Sequence, residues 1–155
     1  MVLLIVSQWG SGGPEIAQQL AKRLDLPVWT SQDQEHSRQW IGQDCVVVGD
    51  CAHIPPEKTR NLMRVFIHCD MDTRIRRMMD RLGLTYDQAA REAMQQDRQQ
   101  ARRYGLETGK KWTDINEYDL TVHSEFLGIS GTVELLCQFI ALHTMRKRRG
   151  LYEER

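Results

Sequence analysis

Val2-Leu3-Leu4-Ile5-Val6-Ser7-Gln8-Trp9-Gly10-Ser11-Gly12-Gly13-Pro14-Glu15-Ile16-Ala17 decides the fold. A continuous apolar run fits a strand buried on both faces, and it stops at a glycine-rich turn. Ile16, Leu20 and Leu24 then recur on one helical face, with Gln18, Gln19, Lys22 and Arg23 turned outward. A strand, a glycine turn and a helix in that order gather backbone N–H groups at a helix N-terminus, where the helix dipole favours an anion such as phosphate.

Downstream, the pattern alternates between short strands and helices. Leu26–Trp29, Cys45–Val48, Arg64–Cys69 and Tyr118–His123 read as strands. Residues 30 to 43 are polar, a loop or short surface helix, and Pro55-Pro56 breaks the chain before a helical turn over Glu57–Met63. Asp70 and Asp72 are helix-start signals, and Gly83 stops the helix carrying Ile75, Met78, Met79 and Leu82. Thr85 with Gln88 forms a capping box opening a helix from about Tyr86 to Tyr104. A loop from 105 to 117 and a last helix over Thr132–Met145 complete the pass. With no hairpin signal, the expectation is a parallel α/β sheet with right-handed crossovers, and with ligands at the carboxyl ends of its strands.

Composition narrows the partners. The chain has 155 residues, enough for one domain with a real core, and 21 basic against 21 acidic side chains. That balance predicts no polyanionic partner, so no nucleic acid is expected. The four cysteines form no C-x-x-C pair and read as reduced thiols of a cytoplasmic protein. No apolar run in the sequence approaches membrane length, so no membrane partner is expected either.

The glycine turn departs from the usual phosphate loop, G-x-x-x-x-G-K-[ST], in which a lysine reaches the phosphates and a hydroxyl holds magnesium. Here Ser7 takes the first glycine position, Gly13 that of the lysine and Pro14 that of the hydroxyl. The segment Ser7 to Ala17 instead resembles the opening of the cytidylate kinase-like family, a branch of the P-loop nucleoside monophosphate kinases without that lysine. Two later segments strengthen the resemblance: Val65-Phe66-Ile67 with Arg74-Ile75-Arg76-Arg77, and Thr108-Gly109-Lys110-Lys111-Trp112 with Asn116-Glu117-Tyr118-Asp119-Leu120. It implies a three-layer α/β/α P-loop fold, ATP with Mg2+ as donor, and CMP or another nucleoside monophosphate as acceptor. In that reading Gly10, Ser11, Gly12 and Gly13 cradle the donor phosphates. Arg74, Arg77 and Arg102 offset charge, and Asp50 helps to hold magnesium.

The departures from the family point the other way. Pro14 stands where the family has arginine, and Gly49-Asp50 where it has Gly-Arg. The lid's Asp-x-x-Arg pattern reads Asp97-Arg98-Gln99-Gln100, with Arg98, Arg102 and Arg103 as substitutes on other helix faces. The acceptor-binding segment, about residues 30 to 44, is cut short. Phosphoryl transfer rests on positioning and on cations that neutralise the moving group, so these losses bear directly on rate. The second reading is therefore a degenerate, non-catalytic module used for ligand sensing or assembly, its shortened flank covered in a homo-oligomer. A third is a small kinase with another acceptor.

Several residues keep two readings. Asp50 is a magnesium ligand or a strand-end cap, and Asp70 and Asp72 hold a metal through water or cap a helix. Arg74, Arg77 and Arg81 contact phosphates or form a solvated face. Trp9 covers a nucleotide or packs inward. His53 and His68 follow strand ends without a Ser or Cys partner at nucleophile spacing.

Overall fold

The computed structural model describes residues 1–30, 43–49 and 62–148. Strands β1 (Val2–Ser7), β2 (Val28–Thr30), β3 (Cys45–Val48), β4 (Leu62–His68) and β5 (Leu120–His123) form one sheet in the order β2-β3-β1-β4-β5. Every pairing is parallel. β1 lies in the middle, and Leu3, Leu4 and Ile5 are each 0% exposed. Its unbroken apolar run follows from that position, since both faces are covered.

The pleat divides β1 between two cores. Leu3 and Ile5 meet α1 (Gly13–Leu24) and α4 (Ser124–Arg148) through Ile16, Leu20, Val133, Leu136 and Ile140. Leu4 and Val6 face the other way, with Phe66, Tyr104 and Trp112. Tyr104 belongs to α3 (Tyr86–Thr108), which also packs on α2 (Met71–Leu82) through Ala89 against Ile75 and Met78. The result is a three-layer α/β/α arrangement, as the family resemblance implied. β3 and β4 flank β1 on opposite sides, so the chain's path reverses there, and a crevice forms at the carboxyl end of β1.

The helix ends follow the capping signals. The Asp70 carboxylate accepts the Thr73 N–H at 3.0 Å, and Gly83 closes α2 in the left-handed region. The Thr85–Gln88 capping box is present in both directions.

Several boundaries differ from expectation. β4 begins at Leu62, where a helical turn running to Met63 was expected, and residues 57–61 of that turn lie outside the described residues. β2 and β5 begin at Val28 and Leu120, two residues later than expected. α3 runs on to Thr108, because Tyr104 is buried in the second core and the helix persists until Gly109 at φ +70°. Within the stretch read as a loop, Ile115–Glu117 forms a short 3-10 turn capped by Asp114. α4 begins at Ser124, well before Thr132, and Gly128 (φ +65°, ψ 179°) kinks it early. That glycine hid the first turn from a periodicity reading.

α4 also corrects the expectation that no run approaches membrane length. It is long and apolar enough to cross a membrane by length and composition, with a mean hydropathy of 1.4 over eighteen residues. Val133, Leu136 and Ile140 nevertheless pack one of its faces into the core.

Candidate functional site

The loop between β1 and α1 is built by backbone geometry. Gly10 and Gly12 adopt φ +82° and +91°, a region that side chains disfavour. A Cβ on Gly12 would lie 2.1 Å from Ile129 Cδ1, and one on Gly13 would lie 2.1 Å from Ser7 Oγ. The glycines are therefore demanded by close approach as well as by turn shape.

The buried Ser11 hydroxyl donates to the Gln8 carbonyl at 2.7 Å, with the Ile67 carbonyl 3.1 Å away, fastening the loop to β4. Helix α1 has Gly12 at its N-cap and no side-chain cap. Its first amides lie beyond intrahelical pairing, and Pro14 has none to offer. This is an anion site in form, with the N–H groups of Gly13 and Glu15 at its centre.

A cleft of about 920 Å³ opens over this loop, walled by Gly10, Gly12, Val48, Arg77, Gln100 and Arg103 among others. The three arginines expected to offset phosphate charge are separated by the structure. Arg74 is 2% exposed and is absent from the cleft wall. Its guanidinium donates to both Asp97 oxygens at 2.7 and 2.8 Å, and its Nε to the Trp9 carbonyl at 2.6 Å. Nε, Nη1 and Nη2 each donate one of these bonds, so Arg74 ties the loop to α2 and α3.

Arg77 does line the cleft. It donates to the Ser11 carbonyl and the Ser124 hydroxyl, each at 3.0 Å, and to the Ser124 carbonyl at 3.1 Å. Arg102 is exposed and lies off the cleft wall, where its neighbour Arg103 stands instead. The reason is helical phase: Tyr104 turns into the second core, and Arg103, three residues after Gln100, shares the cleft-facing side. Arg81 reaches the cleft mouth paired with Glu15 at 2.6 Å. Trp9 packs against the α2–α3 cluster while bordering the cleft.

Sequence reasoning missed Ser124 and Ile129. Ser124 is fully buried and its hydroxyl donates to the Ser11 carbonyl at 2.6 Å, so the end of β5 is tied to the loop. The available signal was a small polar residue directly after the last strand. Asp97 was read only as part of a lid pattern, and no sequence feature paired it with Arg74.

Asp50 and His53 lie outside the described residues, as does most of the shortened 30–44 segment. Asp70 caps α2, and Asp72 accepts the Tyr86 hydroxyl at 2.7 Å. Cys69, Asp70 and Glu125 bring three potential ligand atoms within 4.8 Å of one another. Hydrogen bonding to Glu125 and then to Thr73 holds the Asp70 carboxyl well below its usual range, and the same contact raises that of Glu125. Burial, with the approach of His123, lowers His68, whose ring lies 4.9 Å from that of His123.

An uncapped glycine loop between the central strand and the first helix, at the reversal of a parallel sheet, defines a P-loop kinase fold. Solved structures agree. An uncharacterized protein from Eubacterium ventriosum is similar at a TM-score of 0.82 and 22% identity, covering 91% of this chain and 98% of its own. Shikimate kinase from Bacteroides thetaiotaomicron is similar at 0.55 and 13%, again covering 91% and 98%. The YorR protein from Bacillus subtilis, solved in complex with phosphorylated GDP, is similar at 0.56 and 10%, covering 94% and 98%. The model of the cytidylate kinase-like family matches residues 30–125, and the chain belongs to that family. No curated protein matches it significantly.

Proposed function

We propose that the protein binds a nucleoside triphosphate at Gly10–Gly13 and transfers its terminal phosphoryl group to a nucleoside monophosphate. The observation that carries this is the open start of α1 beneath the cleft: amides without a side-chain cap, on glycines that the fold holds in place. Bound magnesium–ATP supplies the phosphoryl group and its activation. Gly13 and Glu15 offer N–H groups to phosphate oxygens, and Ser11 keeps the loop from collapsing towards the cleft. Arg77 supplies positive charge beside Gly12 while fixing the Ser11 carbonyl away from the anion. Gln100 and Arg103 also line the cleft and are suited to a second polar ligand. The complex of YorR with phosphorylated GDP supports a nucleotide as the ligand class.

The residues fit the phosphates better than the metal. Pro14 has no hydroxyl for magnesium, and no step is assigned to that ion.

A second reading, a non-catalytic nucleotide sensor, is favoured by the Arg81–Glu15 pair. It engages one cleft cation before any ligand arrives and places a carboxylate beside the phosphate site. Calorimetric titration with magnesium–ATP, alongside Gly12→Asp, tests both. Saturable micromolar binding lost in the variant is expected. Absence of binding at millimolar ATP refutes nucleotide recognition. Binding without turnover of any nucleoside monophosphate refutes the transferase and leaves the sensor.

A further inference from the structure

The outer face of α4 carries three large apolar side chains. Leu135, Leu142 and Met145 are 38%, 61% and 56% exposed, on the side opposite the buried Val133, Leu136 and Ile140. A helix packed on one side of a core ordinarily turns charge outward on the other. Here residues 131, 135, 138, 142 and 145 alternate steps of four and three, the 3.5-residue repeat of a two-helix seam. Gly131 precedes the large apolar residues, and Gln138 stands between Leu135 and Leu142.

The charges beside this stripe are divided along the helix. Glu134 flanks its first half, and Arg146, Lys147 and Arg148 close its last turn. A second copy running antiparallel sets Leu135 against the partner's Met145 and Glu134 near the partner's Arg148, twice by symmetry. A parallel pair would stack like charges. A lipid surface favours basic residues on the polar flank, whereas the first half of this flank carries Glu134.

We propose that two copies of this chain associate through this face of α4, antiparallel, with Leu135, Leu142 and Met145 forming the seam. One helix pair buries less than the roughly 1,600 Å² of a standard stable interface, so the association is concentration-dependent. The surface is separate from the phosphate loop, and its test needs no nucleotide.

Sedimentation velocity over about 1 to 200 µM brackets a micromolar dissociation constant. The wild-type chain is expected to shift from monomer to dimer over that range. Leu142→Glu is expected to remain monomeric with an unchanged circular dichroism spectrum, since the site is exposed. Glu134→Arg is expected to weaken association at least tenfold, and Glu134→Arg with Arg148→Glu to restore it. Arg23→Gln serves as a control because Arg23 binds Glu134 within the chain at 2.6 Å, and it is expected to leave association intact. A wild-type monomer at every concentration overturns the proposal, as does a dimer indifferent to Leu142→Glu. Co-sedimentation of a non-associating chain with anionic phosphatidylserine vesicles overturns it in favour of a lipid surface.

Discussion

Replacing Arg74 with methionine removes a guanidinium that makes three short hydrogen bonds while preserving much of its apolar stem. It leaves the Asp97 carboxylate and the Trp9 carbonyl without those donors. Breaking a buried ion pair from one side costs roughly 3–5 kcal/mol. Asp97 retains 24% exposure, so water recovers part of this and about 3 kcal/mol is expected. For a chain of this size that lowers the Tm by about 6–12 °C. Arg74→Lys keeps the charge but loses the planar fork, and should fall between the two. Urea unfolding followed by circular dichroism measures the loss. A cycle with Asp97→Leu should show coupling of about 2 kcal/mol, because the double variant strands no charge. A methionine variant within about 0.5 kcal/mol of wild type, or strictly additive single changes, would refute the anchor.

Gly12→Ala forces a Cβ to 2.1 Å from Ile129 Cδ1 at φ +91°, and about 2–3 kcal/mol of destabilisation is expected. Adding Ile129→Ala should recover the steric part and leave the backbone part, which thermal melts of the three variants separate. For His68, burial and the neighbouring His123 favour the neutral ring in the folded chain. Its contribution is therefore full above the ordinary value of 6.5 and is lost as pH falls through the lowered folded value. His68→Phe keeps a ring beside Phe66, and its urea midpoint should fall less than that of wild type between pH 7 and about pH 5. Equal pH slopes would show that this ring does not titrate on folding.

The strand–turn–helix opening was legible because each part has a local cause: continuous apolarity, glycine, then a 3.6-residue period. The α2 and α3 caps were legible for the same reason, since Asp70 and Thr85 act within three residues of themselves. The shape of the candidate loop was legible through Gly10, Gly12 and Gly13. Its side-chain wiring was not. Arg74, Arg77 and Arg81 share one spacing on one helix, yet each has a different partner: Asp97 on α3, Ser11 in the loop and Glu15 on α1. Those partners are set by how the helices pack, which spacing along one helix does not encode. Gly128 had the opposite effect, breaking the periodicity of a helix whose neighbours are set by the sheet.

At 23 residues, α3 spans about 34 Å. Tyr104 is packed beneath the sheet near one end, and Ala89 is packed against α2 near the other, with Gln100 and Asp97 between them. Between those two ends, the Arg74 fork joins Asp97 on this helix to the Trp9 carbonyl of the loop. One side chain thus serves as the common fastening of the loop and of the helix that walls the cleft.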